Sequence, residues 1–288
     1  MRKITITNFT DPVCVWCWAT EPVFRYLETH YPGDIEFRSI CGGLVENIAD
    51  FAAAGSGISG GTEEANAQIA AHWTESANRH RMPILTEGFH LFSEEYPSTY
   101  PQSIAYKAMQ MVAPHLAESY MRRLRKATLA EGLVTSRRDV QMDLAREMEV
   151  NMGLFEKALD NGTAEERFHG DLALTRGLGV SSFPTFLVKM DEGKQLMVRG
   201  FQDMESFRDI LSYMTDGEKM PIEVPPDEEL LGNLLLTHRF LSGEEVFCAF
   251  DFSSREDVDR WVEDLVAGGK IKKTPVGSSY FVEARPEK

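Results

Sequence analysis

The chain has 288 residues, 43% of them hydrophobic, which is enough to bury the core of one large domain or two modest ones. Its formal net charge of −15 argues against a nucleic acid or an anionic membrane as the main partner, because phosphates are gripped by an excess of Lys and Arg. Four cysteines are too few for a disulfide scaffold, and no apolar run reaches the roughly 18 residues of a membrane span.

The opening MRKITITNF alternates apolar and polar residues. That is strand patterning over 3–9, and it lacks the continuous apolar stretch of a secretory signal, so a cytoplasmic location is expected. Val23, Tyr26, Leu27 and His30 recur at helical spacing, predicting a helix over 18–31, and IEFRSI (35–40) predicts a second, parallel strand after the turn YPGD. From about 62 to 178 the pattern is helical, with Pro101 and Pro114 as starters and Gly132, Gly153, Gly162 and Gly177 as breaks. Strand character returns at 183–190 and 194–200 around the turn DEG, and MESFRDILSYM follows as a helix. MPIEVPPDEE concentrates three prolines and four acids, which predicts a linker over 220–227 between a first domain, 1–219, and a second, 228–288. In the second, Ser242 with Glu245 and Ser253 with Glu256 fit capping boxes, and Val258, Trp261, Val262, Leu265 and Val266 form a helical stripe. KIKKTPVGSSYFVE closes the chain as a hairpin, giving the outline of a winged helix.

The stretch DPVCVWCWATEP places Cys14 and Cys17 three positions apart at the start of the first helix. Two side chains at that spacing share one face and can close a short disulfide. Unpaired N–H groups at a helix start favour a thiolate, the attacking species in disulfide exchange. Cys14, nearer the end, is the expected nucleophile, and Cys17 the expected resolving residue. A structural zinc site needs two further close Cys or His ligands, which the sequence does not supply, so no metal and no cofactor beyond the cysteines is expected. Far along the chain, SSFPTFLV puts a proline at a strand entrance, and a cis Phe183–Pro184 bond is expected there.

Together DPVCVWCWATEPVF, CGGL after the second strand and GVSSFPTFLV beyond a helical insertion resemble the DsbA superfamily of thioredoxin-fold proteins, in its cytoplasmic FrnE-like branch. The likeness runs over about residues 3–214. It implies an α/β thioredoxin-like fold with a large helical insertion, and a thiol-disulfide oxidoreductase of protein or peptide substrates. Cys14 would attack, Cys17 resolve and Pro184 present backbone to a peptide, with Phe183, Trp16 and Trp18 also expected at the substrate. Residues 228–283, with Trp18, Glu21 and Pro22, are similar to cytosolic DsbA-like adaptors that hand a transcription regulator to the ClpXP protease, which makes a client for proteolysis the alternative partner. Superfamily members that conjugate glutathione or isomerise use a serine nucleophile where this chain has Cys14.

Strongly oxidising members have Pro-His between the cysteines, whereas this chain has Val15 and Trp16. Cys14 is therefore expected in the upper part of the range of about 3.5–7.5 for activated thiols, with Asp11 able to raise it further. The motif GSGISG (55–60) follows helix-like sequence instead of a strand and reads as a loop, not a dinucleotide site. Trp73 shares a helix with Ile69 and His72 and reads as core, or as the lining of a groove over the cysteines. Cys41 and Cys248 read as small buried hydrophobes. The helix SREDVDRWVEDLV carries five acids against two arginines, which speaks against DNA despite the small basic spot KIKK.

Overall fold

The computed structural model describes residues 3–50, 58, 60–191 and 193–285. Its first element, β1 (Ile4–Thr10), turns Ile4 and Ile6 into the core while Thr5 and Thr7 face outward, as the alternation dictates. The expected first helix is two pieces, α1 (Val15–Trp18) and α2 (Glu21–His30). Pro22 explains the break, since it has no N–H to give the Trp18 carbonyl one turn back. Next comes β2 (Ile35–Cys41), parallel to β1.

Six helices follow: α3 (Thr62–His80), α4 (Tyr100–Val112), α5 (Ala117–Glu131), α6 (Arg138–Arg146), α7 (Met152–Asp160) and α8 (Thr163–Gly177). Gly132 caps α5 in the left-handed region at φ 68°, a conformation that favours glycine. Gly153 lies inside the first turn of α7 and breaks nothing. Four aromatic side chains, Tyr106, Tyr120, Phe155 and Phe168, fill the core of this insertion. The chain then returns as the antiparallel pair β3 (Thr185–Met190) and β4 (Gln195–Arg199), and α9 (Met204–Met214) closes the sheet. The sheet order is β2-β1-β3-β4, with β3 antiparallel to β1. Leu27 of α2 and Phe207 and Leu211 of α9 pack on Ile6, Phe186 and Val188. This α/β arrangement with its helical insertion is a thioredoxin-like fold.

The last part holds α10 (Glu228–His238), β5 (Phe240–Ser242), α11 (Gly243–Ala249), α12 (Arg255–Ala267) and the hairpin β6 (Ile271–Val276) with β7 (Ser279–Ala284). The strands form a second sheet in the order β5-β7-β6, the helix and strand succession of a winged helix. The capping box at Ser242 and Glu245 is present. The second expected box shifts by one residue: Ser254, not Ser253, caps α12 and accepts from the Asp257 N–H. The segment before α10 is pinned at both sides, by Ile222 N–H on the His30 carbonyl and by Val224 paired with Asp251.

Besides ion pairs such as Lys126 with Glu283 and Glu28 with His238, two features join the last part to the first near the cysteine helix. Phe240 and Phe281 enter the same core as Trp18, Leu129 and Trp73. Beside them lies a buried ion cluster. Glu21, at the start of α2, takes Arg122 on one carboxylate oxygen and Arg125 on the other, both from α5. Arg122 also pairs with Glu245 of α11 at 2.7 Å and donates to the Phe240 carbonyl at 3.0 Å. Burial alone would raise the Glu21 carboxyl, but the guanidinium groups of Arg122, Arg125 and Arg25 outweigh it and hold it at about 2. Among the described residues no helix is long and apolar enough to cross a membrane.

Holding Glu21 near 2 instead of 4.5 stabilises the native state by about 3 kcal/mol above pH 4.5, a contribution lost as pH falls towards 2. Urea unfolding between pH 6 and pH 2 should show that loss. Glu21→Gln should lower stability by about 3–5 kcal/mol at pH 7, because two buried guanidinium groups lose their shared partner. An unchanged stability at pH 7 would show that the cluster carries no weight.

Candidate active site at Cys14 and Cys17

Cys14 is the N-cap of α1, and its sulfur accepts from the Cys17 N–H at 3.2 Å. The two sulfurs are 2.6 Å apart, both as free cysteines. Cys14 also donates its S–H to the Phe183 carbonyl at 3.7 Å, just before β3. The Phe183–Pro184 peptide bond is cis. A small difference in access separates the sulfurs, since Cys14 retains 5% exposure and Cys17 none.

The loop around the pair is organised by Asp11. One of its carboxylate oxygens accepts from the Val13 N–H at 3.0 Å, and the other from the Leu44 N–H at 2.8 Å and the Thr99 hydroxyl at 3.2 Å. The same side chain therefore ties the cysteine loop to the CGGL segment. There a Cβ on Gly42 would overlap the Phe183 ring, and Gly43 has φ 69°. Both glycines are required, one for close approach and one for conformation. Burial pushes the Asp11 carboxyl up to about 6 despite these three donors and Arg125.

The expected low pKa of Cys14 is not what the surroundings produce. Burial, then the neighbouring Cys17 and Asp11, push the Cys14 thiol well above its ordinary value. α1 is a single turn, so it adds little dipole, and Val15 and Trp16 add no charge. Burial acts on Cys17 as well, but its hydrogen bond with Cys14, the Arg125 guanidinium and the Thr10 hydroxyl lower its pKa. The two thiols share the sulfur contact, so the first proton lost belongs to the pair.

A cavity of about 290 Å³ opens beside Cys14, lined by Trp16, Leu44, Ile69, His72, Trp73 and Phe183 among others. Trp73 serves both expected roles, buried at 3% exposure and packed edge-on against Phe89 while still lining the cavity. Trp16 stands between His80 and Phe201, each 5.9 Å away by ring centroid. Trp18 corrects the expectation of a substrate contact: it is fully buried, its indole N–H donates to the Pro83 carbonyl, and its ring meets Phe281. It faces the core shared with the last part of the chain. In the sequence Glu21 stands out only through its place between Trp18 and Pro22, with no sign of its charge partners, and Arg125 does not stand out at all. Of GSGISG, residues 55–57 and 59 lie outside the described residues. Cys41 and Cys248 are buried free thiols whose pKa values burial raises. Among the described residues no three His, Cys, Asp or Glu side chains are placed to hold a metal ion.

Asp11 generates a pH test. Its ionisation near pH 6 adds a negative charge beside the pair, so the alkylation rate of Cys14 should rise less steeply with pH above that point. Asp11→Asn should speed alkylation at pH 7 by about three- to tenfold, the effect of removing one nearby like charge. Superimposable wild-type and variant profiles between pH 5 and 9 would remove Asp11 from the site's electrostatics.

Comparison with known proteins agrees with this geometry. The chain is similar to the ClpXP adapter protein SpxH of Bacillus subtilis strain 168, with 23% identity over 284 residues, covering 97% of this chain and 89% of that one. A second SpxH, from Shouchella clausii, is 24% identical over 276 residues, covering 95% and 86%. The solved structure of the cytosolic disulfide reductase DsbM from Pseudomonas aeruginosa superimposes with a TM-score of 0.57 at 20% identity, covering 74% of this chain and 98% of that one. Residues 8–209 match the model of the Thioredoxin_5 family, described as Thioredoxin, and since that stretch holds the cysteine pair, Pro184 and most of the fold, the chain belongs to this thioredoxin family.

Proposed function

We propose that the chain performs dithiol-disulfide exchange on protein or peptide substrates in the cytoplasm, with Cys14 as nucleophile and Cys17 as resolving residue. The observation that carries this reading is the contact of the two sulfurs at the mouth of an apolar cavity, beside the Phe183 carbonyl. The Cys14 thiolate attacks one sulfur of a substrate disulfide, forming a mixed disulfide and releasing the first substrate thiolate. Cys17, as thiolate, then attacks Cys14, breaks the mixed disulfide and releases the second. Two electrons pass to the substrate, and the chain ends as a Cys14–Cys17 disulfide that a dithiol must reduce. Phe183 and Trp16 line the cavity, and with Pro184, next in the chain to Phe183, they would hold the substrate segment. The disulfide reductase name of the Pseudomonas structure is consistent with this chemistry on the same fold.

A second reading, an adaptor that presents a client to the ClpXP protease, is favoured by one specific observation. The match to DsbM leaves about a quarter of the chain uncovered, whereas the match to the B. subtilis ClpXP adapter covers 97% and so takes in the C-terminal part. The two readings differ in whether sulfur is needed.

In insulin reduction driven by dithiothreitol, Cys14→Ser should abolish turnover, and Cys17→Ser should accumulate a mixed disulfide through Cys14 that mass spectrometry can locate. A trapped adduct on Cys17 in the Cys14→Ser variant would reverse the roles. The Cys14→Ser/Cys17→Ser double variant separates the readings. If it still accelerates degradation of a bound client by ClpXP, while the wild type shows no turnover of disulfides, the adaptor reading replaces the enzymatic one.

A further inference from the structure

The buried ions between the two parts of the chain do more than hold them together. Glu245 is fixed within its own helix turn, where one carboxylate oxygen accepts from the Ser242 N–H at 2.8 Å and the other faces Arg122 at 2.7 Å. Arg122 divides one terminal nitrogen between Glu245 and Glu21. The second oxygen of Glu21 takes Arg125, whose other terminal nitrogen donates to the Thr10 hydroxyl at 2.5 Å. Thr10 ends β1, where its hydroxyl faces Cys17, and the Arg125 guanidinium acts on both cysteine sulfurs. Exposure is 3% or less at Glu21, Arg122, Arg125, Thr10 and Glu245, so water screens these charges far less than surface ones.

We infer that the C-terminal part tunes the cysteine pair through the buried charge relay Glu245, Arg122, Glu21 and Arg125, making Arg122 and Glu245 positioning residues for the exchange proposed above. Glu21 is shared, and how much of its charge falls on Arg125 depends on how much of Arg122 is engaged by Glu245. With Glu245 neutral, Arg122 turns its full charge to Glu21, and Arg125 is left to favour an anion on the cysteine pair, Cys14 included. With Arg122 neutral, Glu21 claims Arg125, and the anion loses its support. The other charged or titratable groups that face this relay are Arg25, 3.9 Å from Glu245, Glu28 and His238 near Arg122, Cys248 near Glu245 and Glu118 beside Arg125, while Cys14 and Asp11 face Cys17. None of them links α11 to the sulfurs by a contact of its own. By reciprocity, loss of the thiolate on disulfide formation must alter the hold on α11.

The inference rests on the exchange reading for its meaning, but its test does not need turnover. The full chain is titrated with iodoacetamide between pH 5 and 10, with the labelled cysteine identified by mass spectrometry. Glu245→Gln should speed alkylation at pH 7 by about threefold or more, and Arg122→Gln should slow it by a similar factor, roughly half a pKa unit each way. Opposite signs are the decisive result, because loss of structure alone would move both variants in the same direction, in step with their melting temperatures. Rates that stay at the wild-type value in both, or shift together, overturn the relay. A second measurement needs no substitution: hydrogen exchange at the amides of Ser242 and Glu245 should differ between the dithiol and disulfide forms. Equal protection in the two forms also overturns it. Failure of insulin reduction with opposite alkylation shifts would instead retire the exchange reading and leave the relay standing.

Discussion

Glu21 is the constraint on which the rest of the molecule depends. It lies four residues after Cys17, has almost no access to water, and can keep its charge only by sharing it with Arg122 and Arg125. A buried carboxylate without such partners would cost several kcal/mol or take up a proton. Its need for two guanidinium groups therefore fixes α5 of the insertion against the cysteine helix. Because Arg122 then needs a second carboxylate, the same demand fixes Glu245 and with it α11. Three stretches far apart in sequence are locked by one side chain's charge, and the hydrophobic contact of Trp18 with Phe281 forms at the same seam.

That seam explains why the thiol pair behaves differently from an isolated Cys-x-x-Cys turn. A short helix start, neutral Val15 and Trp16 and full burial all work against a thiolate at Cys14. Arg125 and Thr10 work for one at Cys17. The pair thus meets charge on its core side and an apolar cavity on the other. The chemistry is set less by the two residues between the cysteines than by what lies under them.

Much of this was legible in the sequence because it is local. The strands announced themselves by alternation, Ser242 and Glu245 by capping spacing, and Cys14, Cys17 and Pro184 by a pattern of residues around them. The misreadings share one cause. Trp18 beside a Cys-x-x-Cys looks like part of a substrate surface, yet the residues that bury it, Phe240 and Phe281, come more than 200 positions later. The helix AESYMRRLRKATLAE looks solvated from its charges, and only the arrival of Glu21 and Glu245 makes Arg122 and Arg125 interior residues. Likewise Pro22 breaks a helix whose apolar periodicity runs on through it. Periodicity reports which face is buried, and it says nothing of which charge will meet which.

The same limit governs the basic spot in the last hairpin. KIKK stands out in an acidic chain, and in sequence its lysines look free to meet phosphate. In the fold each finds an acid: Lys270 pairs with Glu228, Lys272 with Glu283 at 3.6 Å, and Lys273 with Glu263 at 2.5 Å. The apolar stripe of α12 goes inward through Val258, Val262 and Leu265, so the face it leaves outside is the one bearing Glu256, Asp259, Glu263 and Asp264. A winged helix that grips DNA must turn positive charge outward along that helix. Here the lysines of the hairpin meet the fold's own carboxylates, and the outward face of α12 sets Arg260 among four acids, the reverse of that arrangement.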